Sequence, residues 1–518
     1  MKNTYWIPFL CLTGLFLFLF SDSMAYVISY HEQQELFLFS RPYLEKYIYE
    51  IGGAGRYISN FITQFFYFPL AGKLIFSLLL SSLYLLPYLT CRKLTGKEDP
   101  LHIALLMPLH LLIQFESVDF NFYHASNLFC SFLILYLLSF SGKKYFCYTL
   151  IPFLLITGFC LGYSSPLLPV SILFVTGLSA RYLTPYLTNK KRYFYCSAIC
   201  LCLYTGSTFY SFVIHYNMKE RLLLEAETYV INKEWDKVLI CSGKLRGNNQ
   251  LMEYFRNMAL FHTGRMPYDL LKYPQSKGVA SLYLPWTGEA RRSRYGHYIY
   301  EQLGYINEAH RWAFEAMVVY GETAPIVINL IRYNIANRRY PVALRFINIL
   351  KQTLFYQKEA EKYEKMIREK QNPLPNALPY APNEKIRFAN ILNLGPELSY
   401  LCDRDSTNRM AFEYLMSNLI LSNQITRFAE NLGRIRNFAY PSLPRLYEEA
   451  LYSYKLGVDD ETFQALGFTI SQETEERFRN YYILYQHKEL KKLKEQFGDT
   501  FWYYLHFLSP YGNKIIDK

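Results

Sequence analysis

From Phe120 to Lys219 the chain carries not one Asp or Glu, while Leu, Phe, Ile and Tyr recur there in long runs. Water-soluble surfaces depend on charge, whereas an ionised carboxylate in hydrocarbon is costly, so lipid is the solvent this stretch is built for. The charge is distributed accordingly. Residues 1–217 hold 14 Lys+Arg and 9 Asp+Glu of the chain's 55 and 43, and residues 218–518 hold the other 41 and 34. An apolar share of 51% and an aromatic share of 18% exclude a disordered chain. The sequence therefore predicts a membrane region, 1–217, followed by a region of its own core.

The apolar runs predict seven spans: Tyr5 to Ala25, Gly72 to Thr90, Leu101 to Phe115, Ala125 to Phe140, Tyr145 to Tyr163, Pro166 to Leu187 and Tyr193 to His215. The first has the small residues of a signal peptide but is followed by further spans, which favours a retained anchor. Leu101 to Phe115 is the shortest, covering about 22 Å of a roughly 30 Å hydrocarbon core. Arg92, Lys93 and Lys97, then Lys143 and Lys144, then Lys190, Lys191 and Arg192 follow alternate spans. Retention of basic loops in the cytoplasm predicts a cytoplasmic N-terminus and, after seven spans, a C-terminal region outside the cytoplasm. Residues 26–70 become the one large external loop of the membrane region. Within it, Gly55 to Pro69 places Tyr57, Ile58, Phe61, Ile62, Phe65 and Phe66 at helical spacing, the pattern of an interfacial helix.

After His215 the pattern becomes that of amphipathic helices broken by short turns. Ala309 and Ala343 lie 34 residues apart, and superposing them also superposes Arg311 on Arg345 and Trp312 on Phe346. That period is the tetratricopeptide period. Further helix pairs can be drawn around Ala226 to Leu239, Met258 to Leu271 and Ala450 to Leu466. The Pro-rich stretch PLPNALPYAP, Pro373 to Pro382, cannot be helical throughout. The expected fold is all-α: a bundle of about seven transmembrane helices, then an irregular tetratricopeptide-like α-solenoid. Its parts are 218–370 as a first repeat block, 371–382 as a connector and 383–518 as a second block.

The carboxylate-free stretch narrows the search for chemistry. Any acid that the membrane region brings to an external site comes from Glu32, Glu35, Glu45, Glu50, Glu116 or Asp119. Glu32 and Glu35 would share a face if helical, three residues apart, and Glu116 and Asp119 with His124 form the external turn after the third span. These four carboxylates are the candidate catalytic residues. Arg41 and Arg56, with Lys46 and Lys73, are the cations available to a phosphate in this region, and Arg291, Arg292 and Arg294 form a second anion-binding candidate. No zinc pattern, glycine-rich phosphate loop, nucleophile elbow or dinucleotide fingerprint occurs, so no metal or cofactor is assigned. Cys241 and Cys402 are the only thiols after residue 217, and whether they pair is open.

A first span, a long acidic external loop, an interfacial helix and further spans resemble the membrane module of GT-C superfamily glycosyltransferases. The resemblance implies a polyprenyl-phosphate sugar donor and an acidic residue of the first external loop as base or metal ligand. Over most of its length the chain resembles an uncharacterised bacterial family of polytopic membrane proteins with a C-terminal tetratricopeptide-like region. The stretches that carry this are GGAGRYISNFITQFFYFPLAGKLI (Gly52 to Ile75), AHRWAFEAM (Ala309 to Met317) and ALRFINILKQTLFYQKEAEKY (Ala343 to Tyr363). The expected function is a membrane protein presenting a periplasmic helical-repeat domain to a protein or envelope-glycan partner; the alternative is a GT-C-like transferase. Membrane lipid is the other expected partner. The net charge of +12 does not imply nucleic acid, since much of the excess lies in cytoplasmic loops.

Overall fold

Helix is the backbone arrangement that satisfies its own N–H and C=O groups without help from solvent, and the apolar runs adopt it. The computed structural model describes residues 5–22, 24–115, 117, 120–162, 167–187, 190–245, 247–286, 290–374 and 394–512, with no strand among them. The chain divides into two compact units. The first comprises Met1–Leu224, Tyr320–Val327 and Arg345–Lys365, and the second comprises Glu225–Val319, Ile328–Leu344 and Met366–Lys518. Of the Pro-rich stretch, all but its first two residues lie outside the described residues.

The first unit begins with α1 (Trp6–Ser21), α2 (Ala25–Glu32), α3 (Arg41–Ile48), α4 (Gly53–Thr63) and α5 (Pro69–Thr95). It continues with α6 (Leu106–Gln114), α7 (Phe122–Leu138), α8 (Lys143–Leu161), α9 (Leu167–Leu178) and the helix Lys190–His215. Seven spans were expected, but among the described residues four helices are long and apolar enough to cross a membrane: Pro69–Thr95, Phe122–Ser141, Lys143–Leu161 and Lys191–Ile214. The pair α1 and α2, bent by 78°, makes a fifth if counted as one. The apolar helices Ile103–Gln114 and Leu167–Leu183 are too short. His102, in the left-handed region at φ 51°, unwinds the chain before the first of these, and a π-turn at Ser179–Leu183 ends the second.

Ring contacts give the direction of each pass through this unit. Phe20 stacks on Phe76 at 4.6 Å and Tyr5 meets Tyr88 at 5.5 Å, so α1 runs antiparallel to α5. Phe76 packs against Phe122 at 5.1 Å near the start of α7, and Lys93 lies over the Phe140 ring just past its end. Helices α5 and α7 thus run the same way, and residues 96–115 return between them. Their return carries α6 from His102, stacked on Tyr88 at 5.5 Å, to Phe115, edge-on to Phe76 at 4.7 Å. One end of the bundle therefore gathers Arg92 and Lys93 together with Phe140, three residues before Lys143. Ser179 donates to Asp99 Oδ1 at 2.8 Å, returning the chain after α9 to that end. Fully buried Ser77 and Ser81 on α5 and Ser126 and Ser131 on α7 keep those faces small enough for close helix approach.

In the charged region one turn recurs six times among the described residues. Three residues separate Met218–Ile231 from Trp235–Lys244, Gln250–His262 from Met266–Asp269, and His297–Gln302 from Ile306–Tyr320. The same holds for Ala324–Ala336 and Tyr340–Lys351, Arg409–Leu421 and Ile425–Leu432, and Gln472–Gln486 and Leu490–Phe497. The middle residue is left-handed every time: Lys233, Gly264, Gly304, Arg338, Asn423 and Lys488, at φ between 55° and 82°. The residue after it donates its N–H to the carbonyl five residues back, as Glu234 does to Tyr229 and Tyr305 to Tyr300, both at 2.8 Å. This is the Schellman closure, which satisfies otherwise orphaned C-terminal carbonyls.

Candidate functional site

Helix α2 ends at Glu32, so Glu35 lies beyond it and the two carboxylates do not share a helical face. Residues 33–40 run without regular structure until Pro42, at the start of α3, pre-sets the helical φ. Phe37, 2% exposed, anchors this segment edge-on against Phe39, Tyr43, Tyr57 and Phe61 at ring distances of 4.9 to 5.5 Å. The Phe39 N–H donates to the Gln352 carbonyl at 2.8 Å. Beside this cluster lies an open-sided cavity of about 670 Å³ within the first unit, with Glu35, Tyr43, Lys46, Tyr47, Tyr320, Glu322 and Gln352 in its walls.

Charge in this cavity is not internally neutralised. Glu35 Oε2 accepts from the Asn60 side-chain amide and, at 3.5 Å, from the Tyr47 hydroxyl. Asn60 Nδ2 also lies 3.0 Å from the Tyr43 hydroxyl and 3.2 Å from that of Tyr47. Burial pushes the Tyr43 phenol well above its ordinary range, and its contact with Tyr47 adds to this; burial and the Glu35 charge raise Tyr47. Both phenols therefore stay protonated as donors. Lys46 lies 5.2 Å from the centre of the Tyr47 ring, and neither it nor Glu322 has an ion-pair partner among the described residues. Two carboxylates, an ammonium group and phenols around one cavity are suited to a polar ligand rich in hydroxyls, and Glu35 is placed to accept a proton from it.

Backbones also approach closely at the start of α4. A Cβ on Gly53 would lie 1.9 Å from the Tyr47 carbonyl oxygen, and one on Gly55 would lie 2.2 Å from Asn127 Oδ1. The Gly52 N–H donates to the Phe159 carbonyl and Asn127 Nδ2 to that of Leu161, each at 2.8 Å. The start of α4 is thereby fixed to the start of α7 and the end of α8. That is the end of the bundle opposite Arg92 and Lys93.

The other expected site residues have different surroundings. Glu32 accepts from the Tyr356 hydroxyl, whose phenol burial and the Glu32 charge push upward. Arg41 pairs with Glu45 at 2.7 Å and Arg56 with Glu50 at 3.4 Å, both on the surface. Glu116 and Asp119 lie outside the described residues. Arg291, in the second unit, is bound to Glu227 at 2.5 Å; burial raises the Glu227 carboxyl, and the charges of Arg291 and Arg294 oppose it. Arg292 accepts at its carbonyl from the Tyr295 N–H at 3.0 Å. Cys241 and Cys402 are both free thiols. No group of three His, Cys, Asp or Glu that could hold a metal ion occurs among the described residues.

Sequence reasoning identified Glu35 and Lys46 but missed Tyr43, Tyr47 and Asn60. Their signal was present: Tyr43 and Tyr47 lie four apart on one helix, and Asn60 is one of two amides, with Gln64, in an aromatic segment. Tyr320, Glu322 and Gln352 had no local signal, since only the tertiary fold brings them to residues 35–47.

The family model for a family of unknown function, DUF6057, matches residues 2–181 and 124–508. No curated protein and no solved structure matches the chain.

Proposed function

The chain belongs to the DUF6057 family of unknown function, and we propose that it is an integral protein of the bacterial inner membrane that presents its helix pairs to a periplasmic protein or glycan partner in envelope assembly. The observation that carries this reading is the one turn repeated between six helix pairs, the local rule from which α-solenoids and their extended binding surfaces are built. The four long apolar helices support membrane insertion. In this reading the end of the bundle bearing Arg92, Lys93 and Lys143 faces the cytoplasm. Residues 96–115 and 167–187 pass through as short helices with irregular flanks, which is tolerated where neighbouring helices cover the backbone. The cavity around Glu35 then opens on the periplasmic side.

That cavity favours a second reading, a GT-C-like transferase for a lipid-linked sugar with Glu35 as base. One experiment separates them: a strain carrying Glu35→Gln beside a full deletion, at matched protein levels, with surface-glycan and lipid-linked-sugar profiles. If the variant behaves as wild type while deletion alters the envelope, the interaction reading stands. Accumulation of a lipid-linked sugar in both strains selects the transferase. An unchanged envelope in the deletion strain contradicts both.

A further inference from the structure

Residues 352–356 join the helices Tyr340–Lys351 and Gln357–Arg368 in the charged region, yet they belong to the first unit. Buried Thr353 organises this turn: its Oγ1 donates to the Leu350 carbonyl at 2.7 Å and accepts from the Tyr356 N–H at 3.1 Å. The Thr353 carbonyl accepts from Gln357 Nε2 at 3.1 Å, and the Gln352 carbonyl from the Phe39 N–H at 2.8 Å. Two apolar side chains form the tip. Leu354 is 42% exposed, and the Phe355 ring lies against those of Phe65, Tyr67 and Phe68 at 5.1 to 5.6 Å.

Tyr67 and Phe68 immediately precede α5, the longest of the apolar helices. From there Leu70, Leu74 and Leu78, four residues apart on one helix face, form an exposed stripe along it. Phe355 and Leu354 carry that stripe past the end of the helix. On the other side, exposed Phe61 meets Phe65 at 5.6 Å and exposed Phe39 meets Phe61 at 6.5 Å, so the apolar surface is continuous. Polar ends lie at its edge. Tyr356 meets Tyr67 at 5.1 Å and donates its hydroxyl to Glu32, and half-buried Lys73 stands one turn into α5, within snorkelling reach of a headgroup layer. Phenols and an ammonium group around apolar rings are the composition of a membrane–water boundary.

We infer that the 352–356 turn is seated in the bilayer surface where α5 enters it, with Leu354 and Phe355 at the outer edge of the hydrocarbon. The inference rests on the membrane reading of Pro69–Thr95 proposed above. Whatever solvates Leu70, Leu74 and Leu78 also solvates the tip that continues them, which names lipid as the occupant. Seating the tip there removes apolar surface from water, and the paired Gln352 and Thr353 carbonyls reduce the cost of taking this backbone out of water.

The test places a nitroxide on single cysteines of the full-length protein, its ten native cysteines replaced, in nanodiscs of phosphatidylethanolamine and phosphatidylglycerol. Leu354→Cys reports the tip, Leu78→Cys the stripe on α5, and Lys362→Cys the exposed face of the helix after the turn. All three positions are exposed, so the label displaces no packed side chain. Oxygen concentrates in hydrocarbon and a nickel chelate in water, so the ratio of their collision rates with the label measures immersion. At residue 354 the ratio is expected to shift away from the residue 362 value toward the residue 78 value. A residue 354 label as wet as that at 362, with residue 78 immersed, overturns the proposal and leaves the membrane reading standing. A residue 354 label shielded from both reagents also overturns it, since protein, a second copy included, would then cover the tip. If the residue 78 label is as wet as that at 362, the membrane reading itself fails and the proposal falls with it.

Discussion

The Asn60 side-chain amide donates to Glu35 Oε2, joining two residues 25 apart in sequence and bringing the phenols of Tyr43 and Tyr47 to the same point. One amide thus holds the carboxylate and both donors of the cavity wall. Asn60→Leu leaves those groups without their shared partner and is expected to destabilise the first unit by about 1–3 kcal/mol. Glu35→Gln keeps an acceptor oxygen and is expected to cost less. Thermal melts of the two variants in detergent check the order, and an equal or reversed effect would remove Asn60 from its central position.

Gly53 and Gly55 both tolerate no side chain, but not equally. At Gly53 an added Cβ meets backbone, the Tyr47 carbonyl, whereas at Gly55 it meets the Asn127 side chain, which has rotamers to yield. Gly53→Ala is therefore expected to reduce the yield of folded protein more than Gly55→Ala, as size-exclusion chromatography of the detergent-extracted variants will report.

Glu449 makes the stability of the second unit depend on pH. Burial pushes its carboxyl up to about 7, although its Oε2 accepts from the Phe501 N–H at 2.8 Å and Arg445 and Arg477 lie nearby. A carboxyl with a raised native pKa binds its proton in the folded state where the unfolded chain has lost it. Its contribution is therefore fully present below about pH 4.5 and is lost as pH rises through about 7, an effect of roughly 3 kcal/mol at most. Glu449→Gln is expected to flatten the pH dependence of unfolding between these limits, and an unchanged slope would assign it to other groups.

Cys241 and Cys402 are buried thiols with depressed acidity. Burial pushes Cys241 up to about 12, with the Glu225 charge adding to it, and burial pushes Cys402 up to about 11. Few thiolates form at neutral pH, so both are expected to resist a maleimide in the folded protein and to react on unfolding. Mass spectrometry of labelled native and denatured protein measures this.

How far the sequence reveals the fold depends on the range of the interactions involved. The helix pairs were legible around Gly304 and Arg338 because their surroundings repeat at 34 residues. The pairs about Lys233 and Gly264 were drawn as well, but the same turn at Asn423 and Lys488 was not, because a left-handed cap filled by Lys or Asn has no glycine signal. The bend between α1 and α2 escaped because the polar residues Ser21, Asp22 and Ser23 were read as the end of a single span, and hydropathy does not report direction. Glu35 was legible as a carboxylate of the first long loop, but the assumption that it shared a face with Glu32 failed because the helix stops at Glu32. The opposing wall of the cavity comes from residues 320–352, beyond the reach of any local pattern.

In the proposed orientation the Glu35 cavity lies outside the cytoplasm, opposite the basic end of the bundle. The most direct test of this orientation replaces the ten native cysteines and introduces one, either Tyr49→Cys beside the cavity, where Tyr49 is 82% exposed, or Ser141→Cys at the basic end. Intact cells are then treated with a membrane-impermeant maleimide. Labelling of the residue 49 thiol in intact cells, with the residue 141 thiol labelled only after permeabilisation, is the predicted result. The reverse pattern, or labelling of both from one side, would contradict the claim.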